Sequence, residues 1–477
     1  MRLPLLLVLA VVAATLHAQT EPASNPNNAS ASSVKAFRFF LGFDAAASDG
    51  CIILRDTEPP TALPQDGTTY EVGDVIDGAK VVHVGSYLPT YVLDGLRANT
   101  AYHVRVVAFN GSGGAIDYRQ AGPLDAVITT TCKQPEGYYD GIDDASPDFV
   151  SDLTALINPH TARDYNDYAD LVVHNVVERD TPVGRGAVVC DYTGEVATYF
   201  PPISFSSSFY TREHMMPRSW MPTGGNTDIP SGSDYHNLAV TNHPEANEVR
   251  LNHPFGEVVN TVEAYLEGKA GFDSFGNYVY EPRDAFKGDA ARAVLYMMIC
   301  YDGTNGNWGL QDLASRGGDQ LQSVLKAWHA QDPPSLAEIA RHEYVAFVQG
   351  NRNPFIDHPE WVDCINFFNL SKTATCVTEE VDCETVTGLI DRGVSRLDGL
   401  RLWPNPSNGR VEATWTDPLT TPGAWTLTDA TGRVVRSGAL PASATDLTLD
   451  IDPLAPGIYH LGVRAADRRS VRAVIRR

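Results

Sequence analysis

The sequence predicts a multidomain chain: a β-sandwich, then an α+β domain, then a small C-terminal β-sandwich. Three observations predict it. At 477 residues the chain exceeds what one compact core accommodates and calls for about three domains. Both flanks show apolar residues at every second position, as in Tyr102-His103-Val104-Arg105-Val106-Val107-Ala108 before Asn110-Gly111. Between the flanks apolar residues recur at helical spacing instead.

The first element is a leader. Arg2 supplies a positive start, Leu5 to Ala14 is almost wholly apolar, and Leu16-His17-Ala18 ends in a small residue. Residues 1–18 therefore read as a signal peptide, since the apolar run is too short to span a bilayer. Residues 19–33 form a Ser/Asn/Ala-rich spacer. From 34 to 131 strands alternate with turns, Cys51-Ile52-Ile53-Leu54-Arg55 being one, and helical signals are missing. Leu96 and Tyr102 bracket Asn99-Thr100, an arrangement that resembles the tyrosine corner of a fibronectin type III sandwich. That resemblance implies a spacer or adhesion module without chemistry.

Residues 138–370 carry the helices. Ser151 to Ile157 is one, with Ser151 expected as its cap and Pro159 beyond its end. A second runs from Lys287 to Tyr301 with a stripe of Ala290, Ala291, Val294, Leu295 and Met298. A third covers Ser335 to Val348 after Pro333-Pro334. Residues 371–399 read as a linker. Strand signals return over 400–477, marked by Trp403-Pro404-Asn405-Pro406, Leu427-Thr428-Asp429-Ala430-Thr431-Gly432-Arg433 and Leu454-Ala455-Pro456-Gly457-Ile458-Tyr459. These motifs resemble the C-terminal sorting domain of the type IX secretion system. The resemblance implies type IX secretion machinery as a partner, and export to the surface or medium of a Gram-negative, Bacteroidetes-like bacterium.

Composition sets limits. The formal charge of -23 argues against tight, processive or sequence-specific nucleic-acid binding, which is mostly electrostatic. A divalent cation and a local arginine cluster can still hold phosphate on an acidic surface. Seven cysteines suit export, and no Cys-x-x-Cys pair suggests zinc. Cys376 and Cys383 are close enough in sequence to close a small loop, but connectivity stays open.

The chemistry concentrates in Tyr210-Thr211-Arg212-Glu213-His214-Met215-Met216-Pro217-Arg218, followed by Asp234-Tyr235-His236-Asn237-Leu238 and Asn247-Glu248-Val249-Arg250-Leu251-Asn252. An imidazole can deprotonate water near neutral pH, and a carboxylate with an amide oxygen suits magnesium or calcium. Together they are a kit for metal-assisted attack on a phosphodiester. Neighbouring side chains on a regular strand face opposite ways, so Glu213 and His214 need a strand end or bulge to share a site. Asn247 is expected on a short helix capped by Asn242, with Pro244 in its first turn and Arg250 on the same face.

These blocks resemble the endonuclease I family of secreted and periplasmic nucleases, with its His-Me finger (ββα-metal) core. Also similar are Pro254-Phe255-Gly256-Glu257-Val258, Lys287-Gly288-Asp289-Ala290-Ala291-Arg292-Ala293 and Gln349-Gly350-Asn351-Arg352-Asn353-Pro354-Phe355-Ile356-Asp357-His358-Pro359. The resemblance implies a largely sequence-nonspecific, metal-dependent endonuclease acting on DNA, with RNA open as a second substrate. His214 would be the general base, and Glu213 and Asn247 would hold one ion of magnesium, calcium or manganese. Arg218, Arg250 and Arg352 are the candidate phosphate contacts, Arg250 equally a brace. Asp234 and His236 are expected to orient the metal-binding groups, and Asp357 with His358 to form a structural pair. The interval from Leu238 to Asn247 is one residue longer than the family's usual spacing, which opens the register of Asn247. An idle nuclease fold serving adhesion is the alternative. A zinc hydrolase built on His214, His236, His243 and His253 is a third reading, with no His-x-x-x-His helix behind it.

Overall fold

The computed structural model describes residues 20–477 except 178, 181–185, 200–209, 318–319, 374–375, 377–400, 404–406, 408, 416–417, 420–421, 429–433, 456, 466–467 and 477. The expected signal peptide lies outside the described residues, as does nearly all of the expected linker. No helix among the described residues is long and apolar enough to cross a membrane. The chain divides into two compact units, Met1–Cys383 and Glu384–Arg477.

The first unit opens with the β-sandwich. One sheet holds β1 (Asn27–Ser32), β2 (Phe39–Asp44) and, out of chain order, Tyr91–Leu93. The other holds β3 (Gly50–Asp56), β4 (Val75–Ile76) and β5 (Ala79–Gly85); Tyr91–Leu93 is β6. It continues through β7 (Ala101–Asn110), β8 (Asp117–Tyr118) and β9 (Leu124–Thr129), with β7 pairing β3, β8 and β9. Phe39, Leu41, Ile53, Leu93, Leu96, Val104 and Val106 fill the space between the sheets. The backbone N–H of Arg97 donates to the Tyr102 hydroxyl at 2.8 Å, the corner tie expected from the sequence.

This sandwich is no detached spacer. The Gly95 N–H donates to the Asn175 carbonyl at 2.7 Å and Ala98 N–H to the Leu336 carbonyl at 3.2 Å. Phe37 meets Tyr344 edge to face at 5.0 Å, and Gln134 N–H donates to Glu343 Oε1 at 2.7 Å. Backbone bonds and aromatic packing thus fasten it to two helices of the α+β region.

That region begins with α1 (Phe149–Ile157). Asp148, not Ser151, occupies its cap position; Ser151 lies inside the first turn and its hydroxyl donates to Asp148 O. A π-helical segment, Ala169–Val177, follows, then the small sheet β10 (Arg179–Asp180), β11 (Gly186–Val189) and β12 (Val196–Tyr199). The ribbon β13 (Tyr210–His214) and β14 (Leu238–Asn242) leads to the short α2 (Glu248–Arg250). After it come β15 (Asn260–Tyr265), β16 (Gly268–Phe272) and β17 (Tyr278–Glu281), an antiparallel sheet in that order.

The long α3 (Lys287–Cys300) is buried on nearly every side, its Lys287 and Arg292 neutralised by Glu281 and Glu338, and packs on α1 and on a later helix. The remaining helices are α4 (Leu310–Gly317), α5 (Gln322–Gln331), α6 (Leu336–Gln349) and α7 (Pro354–Asp357), with β18 (Ile365–Asn366) and β19 (Ser371–Lys372) beyond. Ser335 caps α6 by accepting from Glu338 N–H, and Gly350 closes it in the left-handed conformation. Cys364 pairs with Cys376, so Cys376 is not free to close the small loop with Cys383 allowed by spacing. Cys132 is also disulfide-bonded, whereas Cys51, Cys190 and Cys300 are buried thiols.

The second unit is itself a small β-sandwich. One sheet contains β20 (Arg401–Trp403), β21 (Arg410–Thr414) and, two strands later, Asp446–Asp450; the other starts with β22 (Gly423–Thr428) and β23 (Val434–Leu440). Asp446–Asp450 is β24, and β25 (Gly457–Ala465) and β26 (Arg468–Arg476) complete the second sheet. Val411, Trp415, Leu427, Leu449, Leu461 and Val474 make its core.

Candidate active site

β13 and β14 pair in register, Glu213 opposite Ala239 and His214 opposite Leu238. His214 is the last strand residue. Beyond it Asn237 takes over from the ladder: its carbonyl accepts from Met215 N–H, and its side chain both accepts from Met216 N–H at 2.7 Å and donates to Met216 O at 3.1 Å. Pairing therefore stops where Pro217 could not continue it. Freed from strand alternation, Glu213 and His214 both line one open cleft of about 550 Å³. Asn247 lines the same cleft, with Tyr165, Arg212, Arg218 and Asn252.

Asn247 is brought there by an unusual turn. Asn242 stands at the expected N-cap position and Pro244 in the first turn, but His243–Asn247 is π-helical before α2 continues. A π-turn takes in one more residue than an α-turn. With that wider turn the Asn247 amide reaches Glu213: Asn247 Nδ2 donates to Glu213 Oε2. The Asn242 side chain does not cap; it donates instead to Glu195 Oε2 at 2.5 Å. Leu251 ends the helix with φ 48° and ψ −122°, a conformation costly for a residue bearing Cβ.

The charges are set by burial. Burial pushes the Glu213 carboxyl up to about 7, against the pull of Arg250. Burial also lowers His214, to about 4, helped by the positive charges of Arg218, Arg250 and Arg212. His214 is thus neutral at pH 7. Its Nε2 lies 2.8 Å from the Gly232 carbonyl, which can only accept, so Nε2 carries the proton and Nδ1 holds the lone pair. A Cβ at position 232 would lie 1.8 Å from Asn226 O, so glycine is required for this close approach. Tyr165 stacks on His214 with centroids 5.3 Å apart and planes 13° apart, and the Arg212 guanidinium lies 4.3 Å from the Tyr165 ring centre.

Carboxylate and amide oxygens are the hard donors that magnesium or calcium prefers. A buried acid raised to about 7 is one that a neighbouring divalent charge would keep ionised. Glu213 and Asn247 fit such an ion. Two other groupings among the described residues, His160-Asp234-Cys300 and His342-Glu343-Asp357, are closed by protein donors. Tyr301 donates to Asp234, and Arg352 bridges Glu343 and Asp357.

Several expected roles need correction. Arg250 is wholly buried and spends its donors on Glu213 Oε1 (2.8 Å), His214 O (3.0 Å) and Met215 O (2.7 Å); it braces the site and offers nothing to substrate. Arg352 is buried away from the cleft in a two-point pair with Asp357. Asp357 also pairs with His342, while His358 pairs with Glu360, so the expected Asp357–His358 pair does not form. Asp234 and His236 do not bond to Glu213, His214 or Asn247. Asp234 accepts from Tyr296 and Tyr301, and His236 Nε2 donates to Asn351 O; they anchor the segment that presents Asn237. Of the expected phosphate contacts, exposed Arg218 alone lines the cleft. His236 is buried, His243 pairs with Glu248 and His253 packs on Tyr278, so the four histidines share no zinc site. Sequence reasoning missed Tyr165, Gly232 and Asn237. Only Asn237, next to His236, carried a local signal.

A family model described as Endonuclease I matches residues 151–360, and one for a secretion system C-terminal sorting domain matches residues 401–477. The chain is 31% identical over 279 residues to an extracellular ribonuclease of Bacillus amyloliquefaciens, spanning 56% of this chain and 90% of that one. An extracellular ribonuclease of Bacillus subtilis (strain 168) is 32% identical over 242 residues, 47% of this chain and 77% of that one. An extracellular deoxyribonuclease of Aeromonas hydrophila is 31% identical over 124 residues, 26% of this chain and 49% of that one. The sorting tail and these relatives mark an exported protein. Because the likeness runs through nine-tenths of a secreted nuclease, the chain belongs to the endonuclease I family and is itself a nuclease.

Proposed function

We propose that the protein is a divalent-cation-dependent endonuclease that hydrolyses internal phosphodiesters of both DNA and RNA with little regard for sequence. One observation carries the reading: Glu213, His214 and Asn247 open onto a single cleft. Relatives named as ribonucleases and as deoxyribonucleases support the breadth of substrate.

In this mechanism His214 Nδ1 accepts a proton from water, the water oxygen bonds to phosphorus, and the bond to the 3′ oxygen breaks. Tyr165 and the Gly232 carbonyl hold the imidazole in the required orientation and tautomer. Glu213 and Asn247 would hold the cation, which when bound neutralises charge on the scissile phosphate and the departing oxygen. Arg218, exposed on the cleft wall, would meet phosphate. The net charge of -23 leaves sequence-reading contacts little electrostatic support.

The test is cleavage of supercoiled plasmid, single-stranded DNA and RNA by the full chain, with magnesium and with EDTA. Magnesium-dependent cutting of all three is expected. No cutting under any condition would overturn this reading and favour the idle nuclease fold.

A further inference from the structure

We infer that the lip of the cleft continues into a base-stacking platform, formed by Leu251, His253, Tyr278, Phe272 and Phe275, that takes the unpaired bases of a single-stranded nucleic acid. The inference rests on the nuclease reading and names the form of substrate preferred.

Charge poses the problem that such a platform solves. The chain carries -23, and among the described residues the cleft wall carries two cations, Arg212 and Arg218. Arg212 already donates to the Tyr165 carbonyl at 3.2 Å. Ionic attraction, which usually supplies most of the affinity for nucleic acid, is therefore weak here. Stacking of bases on aromatic rings needs no charge and is tolerant of sequence.

His253, Tyr278 and Phe272 touch in series, and the chain enters that series from the cleft. Leu251 and Asn252 line it, and Leu251 is 58% exposed despite its costly positive φ. Strain retained to display an apolar side chain beside a reaction cleft points to a ligand. His253 follows in the chain, its ring 4.7 Å from Tyr278. Tyr278 sits directly opposite Phe272 in the β16–β17 register, the rings 5.3 Å apart and edge to face. Phe275 is in the connecting turn, where Asp273 accepts from the Phe275 and Asn277 N–H groups and fixes the loop. Phe272 is 41% and Phe275 76% exposed. Leu251, Phe272 and Phe275 are exposed large apolar side chains, and such groups gathered near one cleft mark an interaction site. Continuity with the cleft identifies that occupant as the substrate strand. In a duplex the base faces are already stacked on one another, so only unpaired bases can use the rings.

The experiment is fluorescence anisotropy in EDTA, which measures binding without cleavage. The full chain is titrated with a labelled mixed-sequence single strand, the same sequence as duplex, and an abasic version of the strand. Wild type should bind the strand more tightly than the duplex, with affinity only weakly dependent on salt. Tyr278→Ala and Phe275→Ser should each weaken strand binding roughly 5- to 100-fold and duplex binding less than about 2-fold. Phe272→Trp should bind the strand as wild type does, and the abasic strand should bind like the Phe275→Ser case. Phe275 is surface-exposed, so its variant must melt as wild type does for the result to count. Equal affinity for strand and duplex, or strand binding unchanged in Phe275→Ser, overturns the platform. Loss of self-association instead of strand binding would make the rings an interface between copies and overturn it too. Strand binding that depends on the rings, in a chain that cuts nothing with magnesium, would sink the endonuclease reading and leave the platform standing.

Discussion

Arg250 and Glu213 form a closed ion pair, Nη1 to Oε1 at 2.8 Å, with the guanidinium wholly shielded from solvent. The same guanidinium holds the carbonyls of His214 and Met215, so one side chain fixes the Glu213 carboxylate and the backbone that carries the imidazole. Arg250→Ala abandons a buried carboxylate and two backbone carbonyls. It should cost about 3–5 kcal/mol of stability in urea unfolding, and Arg250→Lys should recover little because an ammonium lacks the planar fork. A loss under about 1 kcal/mol would show that the pair is not the brace described here.

His214→Ala should reduce magnesium-dependent plasmid nicking by about 10²- to 10⁴-fold in a protein that still unfolds cooperatively, its midpoint lowered by loss of the buried ring. Gly232→Ala tests the tautomer. The added methyl would meet Asn226 O and displace the carbonyl that fixes Nε2, so kcat should fall about 10²-fold. Unchanged kcat in a folded Gly232→Ala protein would remove that carbonyl from the mechanism.

Asp191 is mostly enclosed by protein, and burial raises its carboxyl to about 6. Between its ordinary value near 4 and about 6, the folded chain keeps a proton that the unfolded chain releases. Stability therefore falls as pH rises through that window, by about 2–3 kcal/mol from this group. Asp191→Asn retains an acceptor for the Val240 N–H, now 2.7 Å away, and removes the titration. The variant should gain on wild type in urea melts at pH 7 relative to pH 4. A pH-independent difference between the two proteins would contradict the assignment.

Removing residues 20–131 should destabilise what remains, because Phe37, Gly95 and Ala98 are fastened to α6 and to the Ala169–Val177 helix. Deleting two backbone hydrogen bonds and the Phe37–Tyr344 ring packing at once should cost at least about 2 kcal/mol. Thermal unfolding followed by the signal of the buried nuclease tryptophans measures it. An unchanged midpoint would return the sandwich to the role of spacer.

Legibility from sequence followed the range of the forces involved. An apolar run gave β3, period-two alternation gave β7, and apolar residues at helical spacing gave α3 and α6, because those signals are local. The strand end at His214 was legible because adjacent side chains cannot otherwise share a cleft. The register of Asn247 was open in sequence because it sits at the end of a π-turn, and turn type is not written in one residue's identity. Arg250 and Arg352 look like phosphate ligands in sequence, yet both neutralise buried carboxylates, since an arginine reads the same either way. Tyr165 lies far upstream of His214, and no periodicity links them. Pairing of Cys364 with Cys376 was likewise beyond spacing alone.

Gly95 grips the helix Ala169–Val177, and the turn just ahead of that helix lays Tyr165 flat against His214. The outer sandwich and the imidazole are therefore joined by a stiff linkage of very few parts. A tug on the N-terminal half, from a crowded envelope or a taut polymer, would arrive at the His214 ring as torque rather than dying away in slack chain.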